Sequence, residues 1–451
     1  MIKMPLCRLL LAIAAIAATF LTSFLVRAPL ANAIDIQKIV SPKGLTAWLV
    51  EDHSNPIITV NFAFRGGAAL DPAGKEGLAN MVASTLDEGA GDLDSQAFQR
   101  TLQDFSVSLS FRAGQESFSG SLRTLTRNRD RAFDLLKLAL TRPRFDADAV
   151  ARTRSQILAG LRRRSENPRQ IAGRTLLKTL FPGHSYGNPV MGSAETVPVI
   201  KIVDLKLFQA QRLAKGNLVV SVVGDVTADI LRKLLDSVFG SLPEAASPWK
   251  LADINATAGN RTIAIDKPIP QSVIRFGQAG IKRNNPDFFA AYIMNYVLGG
   301  GGFESRLYKE VREKRGLAYS IYSYLSPYNH AGVIIGGSAT ANARAAETIR
   351  ILKNEWRRMA DQGLTRKELD NAKTYLTGSY PLRFSSSRQI AAMMTGIQLE
   401  RLGINYINQR NSFINKVTLD DVNRVAKNLL DADALTLVVV GQPDGVQAEG
   451  Q

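Results

Sequence analysis

Four consecutive glycines, Gly299, Gly300, Gly301 and Gly302, are followed by Arg312 and, seven residues later, Tyr319. A guanidinium offers N–H donors in a fixed fork and a phenol offers one O–H donor, so the pair suits an oxygen that carries or gains negative charge. Residue type alone assigns less. Among Glu310, Glu313 and Lys314, Arg312 reads as part of a solvated helix face, and Tyr319 as a strand aromatic packed in a core. Chemistry elsewhere is sparse. The three histidines, His53, His184 and His330, have no partner at helical spacing, which leaves no His cluster for a metal. Neither a Ser/His/Asp nor a Cys/His arrangement is visible, and the single cysteine is Cys7.

The elements around the pair follow from periodicity. Four glycines leave backbone amides uncovered and tolerate no ordinary secondary structure, which predicts a mobile loop able to approach another backbone closely. From 303 to 314 the apolar residues Phe303, Leu307 and Val311 recur every fourth position among charged ones, which predicts a helix that Gly316 stops. Residues 317–325 then carry the aromatic and β-branched content of a strand.

The 451 residues, 45% hydrophobic and 21% charged, suffice for two or more packed domains. At the N-terminus, Lys3 and Arg8 precede an uncharged apolar run over residues 9–26, and Ala31-Asn32-Ala33 has the small residues of a cleavage site. Residues 1–33 therefore read as a signal peptide, with export, most simply to a bacterial periplasm, as the expectation; the alternative is an uncleaved anchor. Without the leader no cysteine remains, so packing alone must hold the fold. Its loss also removes Lys3, Arg8 and Arg27, lowering the net charge of +16 by three. Basic residues interleaved with aromatics, the mark of nucleic-acid binders, are absent. The surplus, including Arg162, Arg163 and Arg164, reads as wet helix faces, with docking of an acidic partner as the lesser alternative.

Along the chain, residues 46–50 and 57–65 predict strands, 77–87 a helix with Leu78, Met81, Val82 and Leu86 on one side, and 107–122 a β-hairpin. Helices are expected over 129–140 and 146–164, and a buried strand over 217–225. Residues 241–260, rich in Pro, Ala, Ser and Asn, read as a linker. Beyond it the pattern repeats: Leu435 to Gly441 echoes Leu218 to Gly224, and the helix around Leu364 to Leu376 echoes that around Phe145 to Leu158, at nearly one displacement. This implies two homologous α+β domains, residues 34–240 and 261–451, arising by internal duplication and arranged like a clam with a central cleft.

The duplicated halves, residues 66–88, Ser165-Glu166-Asn167-Pro168, the 184–192 loop and the 299–319 stretch together resemble the pitrilysin/insulinase family of inverted-motif zinc peptidases, in its processing-peptidase-like branch. The likeness spans essentially all of the chain after the leader. Active members of that family carry His-x-x-Glu-His on the helix after the first two strands, two zinc ligands one turn apart with a general base between them. Here Asn80, Ala83 and Ser84 occupy those positions, and Ala159 and Gly160 stand at the likely positions of a third ligand, a Glu. An amide is a poor zinc ligand, Ala has no donor and Ser only a weak hydroxyl, so zinc chemistry from this helix is excluded. The family's other element is retained: the resemblance assigns Arg312 and Tyr319 to a peptide carbonyl and its oxyanion, and residues 299–302 to holding the peptide.

The resemblance thus implies half of a split enzyme, a non-catalytic substrate-binding subunit. The chain would carry no cofactor of its own, and a heterodimeric partner, a His-x-x-Glu-His homologue, would hold the zinc. A scaffold or peptide-binding homologue without proteolysis is the alternative expectation, and neither nucleic acid nor, after cleavage of the leader, membrane is expected as a partner.

Overall fold

Two mixed sheets, each built mostly of antiparallel strands around one parallel pair, divide the computed structural model, which describes residues 34–257 and 259–447. The predicted signal segment, 1–33, lies outside the described residues. The first sheet has the order β1-β2-β6-β3-β5-β4, formed by Gln37–Val40, Thr46–Glu51, Ile57–Arg65, Ser108–Ala113, Ser117–Leu125 and Leu218–Gly224 as β1 to β6. In the second the order is β7-β11-β8-β10-β9, from Arg261–Asp266, Gln271–Ala279, Ala318–Pro327, Gly332–Ala341 and Thr436–Gly441 as β7 to β11. The repeat is topological as well as sequential: β6 runs parallel to β2 and antiparallel to β3, as β11 does to β7 and β8. Both halves are therefore α+β units of one plan.

The helices that concern function are α1 (Leu78–Ala83), α2 (Ser95–Asp104), α3 (Arg129–Thr141), α4 (Ala147–Glu166) and α5 (Pro168–Leu180) in the first half. In the second half they are α6 (Phe288–Asn295), α7 (Ala345–Gln362), α8 (Arg366–Gly378) and α9 (Ser387–Leu399). Between α4 and α5 the chain turns at Asn167, whose side chain accepts from the amides of Arg169 and Gln170, while Pro168 supplies a first helical residue that needs no amide partner. α2 answers to no expectation from periodicity. The expected 77–87 helix is shorter than its apolar pattern, ending at Ala83 and continuing as turns that still bury Leu86.

Two helices are exchanged between the halves. α5 of the first half packs on β8 and β11 of the second sheet, and α9 of the second half packs on β3 and β6 of the first. Ala172, Leu176 and Leu180 meet Val273, Val438 and Val440 on one side; Ala391, Met394 and Ile397 meet Trp48 and Val223 on the other. Each sheet is thus covered on both faces, which is why β6 and β11 are near-continuous apolar runs with almost every residue buried. The polar exception in β6, Ser221, is satisfied across the exchange by Thr395 Oγ1 at 3.0 Å and Gln398 Nε2 at 2.8 Å. Arg65 reaches the same helix, donating to the Gln398 carbonyl at 2.6 Å.

The described residues of the 241–260 segment hold no regular helix or strand, yet they are tied down: Ile254 N donates to the His330 carbonyl at 2.9 Å and Thr257 N to the Leu180 carbonyl at 2.8 Å. Among the described residues no helix is long and apolar enough to cross a membrane.

Because Leu180 is fully buried at the exchanged face, Leu180→Ala should destabilise the protein by about 2–5 kcal/mol. Both halves share that face, so urea unfolding followed by circular dichroism and by tryptophan fluorescence should shift to the same lower midpoint. Separate transitions for the two signals would contradict the shared core.

Candidate functional site

Two clusters hold the predicted site residues. The first surrounds α1. Its N-terminus is set by Gly77, at φ 100°, a left-handed conformation in which an added Cβ would lie 2.8 Å from the Met191 carbonyl. The first-turn amides of Gly77 and Ala79 donate to the Asp71 carboxylate at 2.9 and 3.0 Å. Burial of Asp71 nevertheless favours its neutral form and raises its pKa to about 7, against the lowering effect of those amides.

Downstream on α1, Asn80 and Ser84 join Gly160 of α4 in lining one cavity of about 570 Å³. The third motif residue, Ala83, is buried and does not line it. Ser84 Oγ donates to the Asn80 carbonyl at 2.9 Å, one turn back, so its hydroxyl proton is committed to the helix. Arg163 and Arg164 line the same cavity, together with the amides of Gln156, Asn167 and Gln170. A dication does not fit here: the donor set is amide, hydroxyl and a glycine, and two guanidiniums would oppose a positive ion. Among the described residues no group of three His, Cys, Asp or Glu side chains could hold a metal.

The histidines have other work. His184 Nδ1 accepts from the Tyr186 amide at 3.2 Å while Nε2 meets the Ala252 carbonyl at 3.1 Å, so the ring fastens the 184–192 loop to the segment joining the halves. His53 pairs with Asp225 at 2.7 Å, which raises its pKa, and His330 pairs with Asp253 at 2.9 Å.

The second cluster is the Arg312 and Tyr319 unit. Its backbone differs from the expected plain helix and loop. Tyr296–Gly300 winds as a π turn continuing α6, Gly302–Glu304 is a 3₁₀ turn, Arg306–Tyr308 a single α turn, and Lys309–Glu313 a second π turn. Three of the four glycines are required by close packing rather than by loop freedom. A Cβ on Gly299 would sit 2.4 Å from Ser323 Oγ on β9, one on Gly300 2.9 Å from the Asn295 side chain, and one on Gly301 2.8 Å from the Tyr296 carbonyl. Gly302, at φ 57°, has open space around it. Gly316 ends the unit as expected, its amide donating to the Arg312 carbonyl at 2.9 Å.

The expected apolar stripe also splits. Leu307 and Val311 are buried, but Phe303 is 67% exposed, its ring edge-on to Tyr308 at 4.9 Å. The reason is Arg312. Its guanidinium lies 4.9 Å from the Tyr308 ring centre, 5.8 Å from Phe303 and 4.4 Å from Tyr319, and it donates to the Tyr308 hydroxyl. Each such contact contributes about 0.5–1 kcal/mol at an exposed site. Tyr319 is 81% exposed, so the core-packing role that its residue type suggested is wrong. Arg312 makes no ion pair with the neighbouring Glu310, whose carboxylate is taken by Lys314 and Arg315. The structure thus brings Arg312 and Tyr319 together, and Asn80, Ser84 and Gly160 together. The cavity at α1 includes neither Arg312 nor Tyr319.

A duplicated α+β chain with this helix order and a stripped metal helix defines the class. Residues 46–194 match insulinase (peptidase family M16) and residues 200–376 match the peptidase M16 inactive domain. The chain belongs to the M16 peptidase family. It is 28% identical to the non-peptidase homolog YmxG of Helicobacter pylori, over 91% of this chain and 94% of that one. An uncharacterized zinc protease of Mycobacterium tuberculosis is 30% identical over 66% of this chain and 69% of its own. Among solved structures, a peptidase M16 inactive domain from Pseudomonas fluorescens superposes with a TM-score of 0.85 at 28% identity, covering 92% of this chain and all of that one. These likenesses go with an α1 segment that carries Asn80, Ala83 and Ser84 at the positions the resemblance gives to the family's zinc motif.

Asp71 gives α1 a signature in pH. Its pKa is raised from 3.8 to about 7 in the fold, so between those values the native state holds a proton that the unfolded chain releases. That contribution to stability is complete below about pH 4 and is lost as pH rises through 7. Asp71→Asn should therefore flatten the fall in urea midpoint between pH 5 and pH 8, relative to the parent chain. An unchanged slope would show that Asp71 is ionised throughout.

Proposed function

We propose that this chain is the substrate-binding, zinc-free subunit of an exported heterodimeric metallopeptidase. It would supply Arg312, Tyr319 and the glycine-rich turn at residues 299–302 to a zinc site on a His-x-x-Glu-His homologue. The observation that carries the reading is the exposure of Tyr319 with its ring held against Arg312, which forms no ion pair among the described residues. A chain keeping a tyrosine for stability buries it; this one holds the phenol in water, pre-set beside a guanidinium, where both can donate to an oxygen brought from outside. The leader-like residues 1–33 support export, and a periplasm supplies the simplest compartment.

In the proposed complex the partner's metal activates water. Arg312 orients the scissile carbonyl through its fixed N–H fork, and Tyr319 donates to the oxyanion as the tetrahedral intermediate forms. The packed glycines leave the backbone at 300–302 close to the surface, where a peptide main chain could lie against it. The name of the Helicobacter pylori relative, a non-peptidase homolog, favours one rival, a scaffold or peptide-binding role without proteolysis.

Co-expression with its nearest His-x-x-Glu-His homologue decides between them. The expected outcome is a stable complex that cleaves a quenched fluorescent peptide faster than the homologue alone. Within that complex Tyr319→Phe should lower kcat by about 10²-fold with the unfolding midpoint unchanged, and Arg312→Ala should raise KM as well. Absence of a complex, or full activity in both variants, would leave the scaffold reading in place.

A further inference from the structure

Arginines gather where the family's metal helix faces the exchanged helix. A second cavity, of about 640 Å³, opens between α5 and the second sheet and is lined by Arg162, Arg164, Arg169, Arg174 and Arg275. It is continuous with the α1 cavity, since Arg164, Gln170 and Met191 line both, and Arg163 adds a sixth guanidinium on that side. Among the described residues none of the six forms an ion pair, although arginines elsewhere commonly do. Glu195 is the single carboxylate lining either cavity among the described residues, and its pKa is lowered chiefly by the Ser193 hydroxyl and its own backbone amide, with Arg174 adding a smaller effect.

Helix electrostatics explains only part of this. Arg162, Arg163 and Arg164 sit in the last turns of α4, where a cation is favoured. Arg169 lies in the first turn of α5, where a cation is disfavoured, and that turn holds no acidic residue. Arg275 comes from β8, brought within the same cavity wall by the helix exchange, and donates to the Tyr322 hydroxyl rather than to a carboxylate. Six guanidiniums converging on one concavity repel one another unless an anion enters.

We propose that this trough binds an acidic peptide segment, its carboxylates held by the guanidiniums and its main chain by the amides of Asn80, Gln156 and Gln170. This deepens the peptide-binding reading and rests on it, because it names the substrate class that the cleft prefers. A guanidinium fork matches a carboxylate in two parallel hydrogen bonds. Single-stranded nucleic acid fits less well, since it needs free aromatic platforms for its bases. Of the two tyrosines lining the trough, Tyr328 is stacked on Tyr186 at 4.5 Å.

Fluorescence anisotropy on the purified full chain tests this with three fluorescein-labelled 12-residue peptides of one sequence frame, bearing six Glu, six Gln or six Lys. The Glu peptide should bind roughly tenfold or more tighter than the Gln peptide, and the Lys peptide weakest. Arg164→Glu with Arg174→Glu should abolish the preference, while the remote pair Arg350→Glu with Arg366→Glu should keep it. All four side chains are on helix surfaces, and matched circular dichroism spectra exclude misfolding as the cause. No preference for Glu, equal loss in both double variants, or tighter binding of a 12-nucleotide single strand would overturn the proposal. The readout is independent of the subunit reading. If the parent chain binds the Glu peptide preferentially yet its active complex turns over acidic and neutral peptides equally, the trough does not select substrate and this inference fails alone. If no complex forms while the preference holds, the subunit reading fails alone.

Discussion

The reciprocal exchange of α5 and α9 is the constraint on which the rest of the molecule depends. Each helix closes the outer face of the other half's sheet, so neither sheet can bury both faces without its partner. The consequence reaches from core to surface. Exchange makes β6 and β11 buried on both sides, demands polar satisfaction of Ser221 from Thr395 and Gln398, and fixes the cavity wall that α5 shares with β8 and β9. With a fused core of this kind the two halves share the packing of the exchanged faces and cannot part there without exposing it.

The α1 site differs from the family's motif in charge as well as in missing ligands. An inverted zinc site needs neutral imidazoles and carboxylates around a dication; here an amide, a hydroxyl and a glycine occupy those positions beside two guanidiniums. With Arg163 and Arg164 lining it, the local charge at α1 is positive where a zinc site would need to receive a cation. In the second half three aromatic rings surround Arg312, which has no counter-ion among the described residues, and Tyr319 stands in solvent.

Much of this was legible in the residues. The Leu218 to Gly224 run and its echo at Leu435 to Gly441 announced buried central strands and a duplication, because only strands covered on both faces are so uniformly apolar. Asn80, Ala83 and Ser84 stood out only through the resemblance, which placed them where the family's zinc motif falls. Periodicity could not show which sheet each amphipathic helix would cover, since α5 has an apolar face that fits either half. For the same reason Arg162, Arg163 and Arg164 read as a wet face: they are exposed, as expected, but Arg275, more than a hundred positions away, reaches them only through the exchange. Four glycines suggested a loose loop, whereas Gly299 and Gly301 are there because β9 and Tyr296 leave no room for a Cβ. Tyr319 looked like core because aromatics in strands usually are; its exposure is a property of the edge strand β9 that no local pattern records.

The measurement closest to the central claim is zinc binding by the isolated chain, read by competition with a chromophoric chelator and by elemental analysis of the dialysed protein. The account predicts no uptake beyond a control protein and no stoichiometric zinc, with Asn80→His and Ser84→His together still failing to bind it tightly while Arg163, Arg164 and Gly160 remain. One zinc held per parent chain would contradict it.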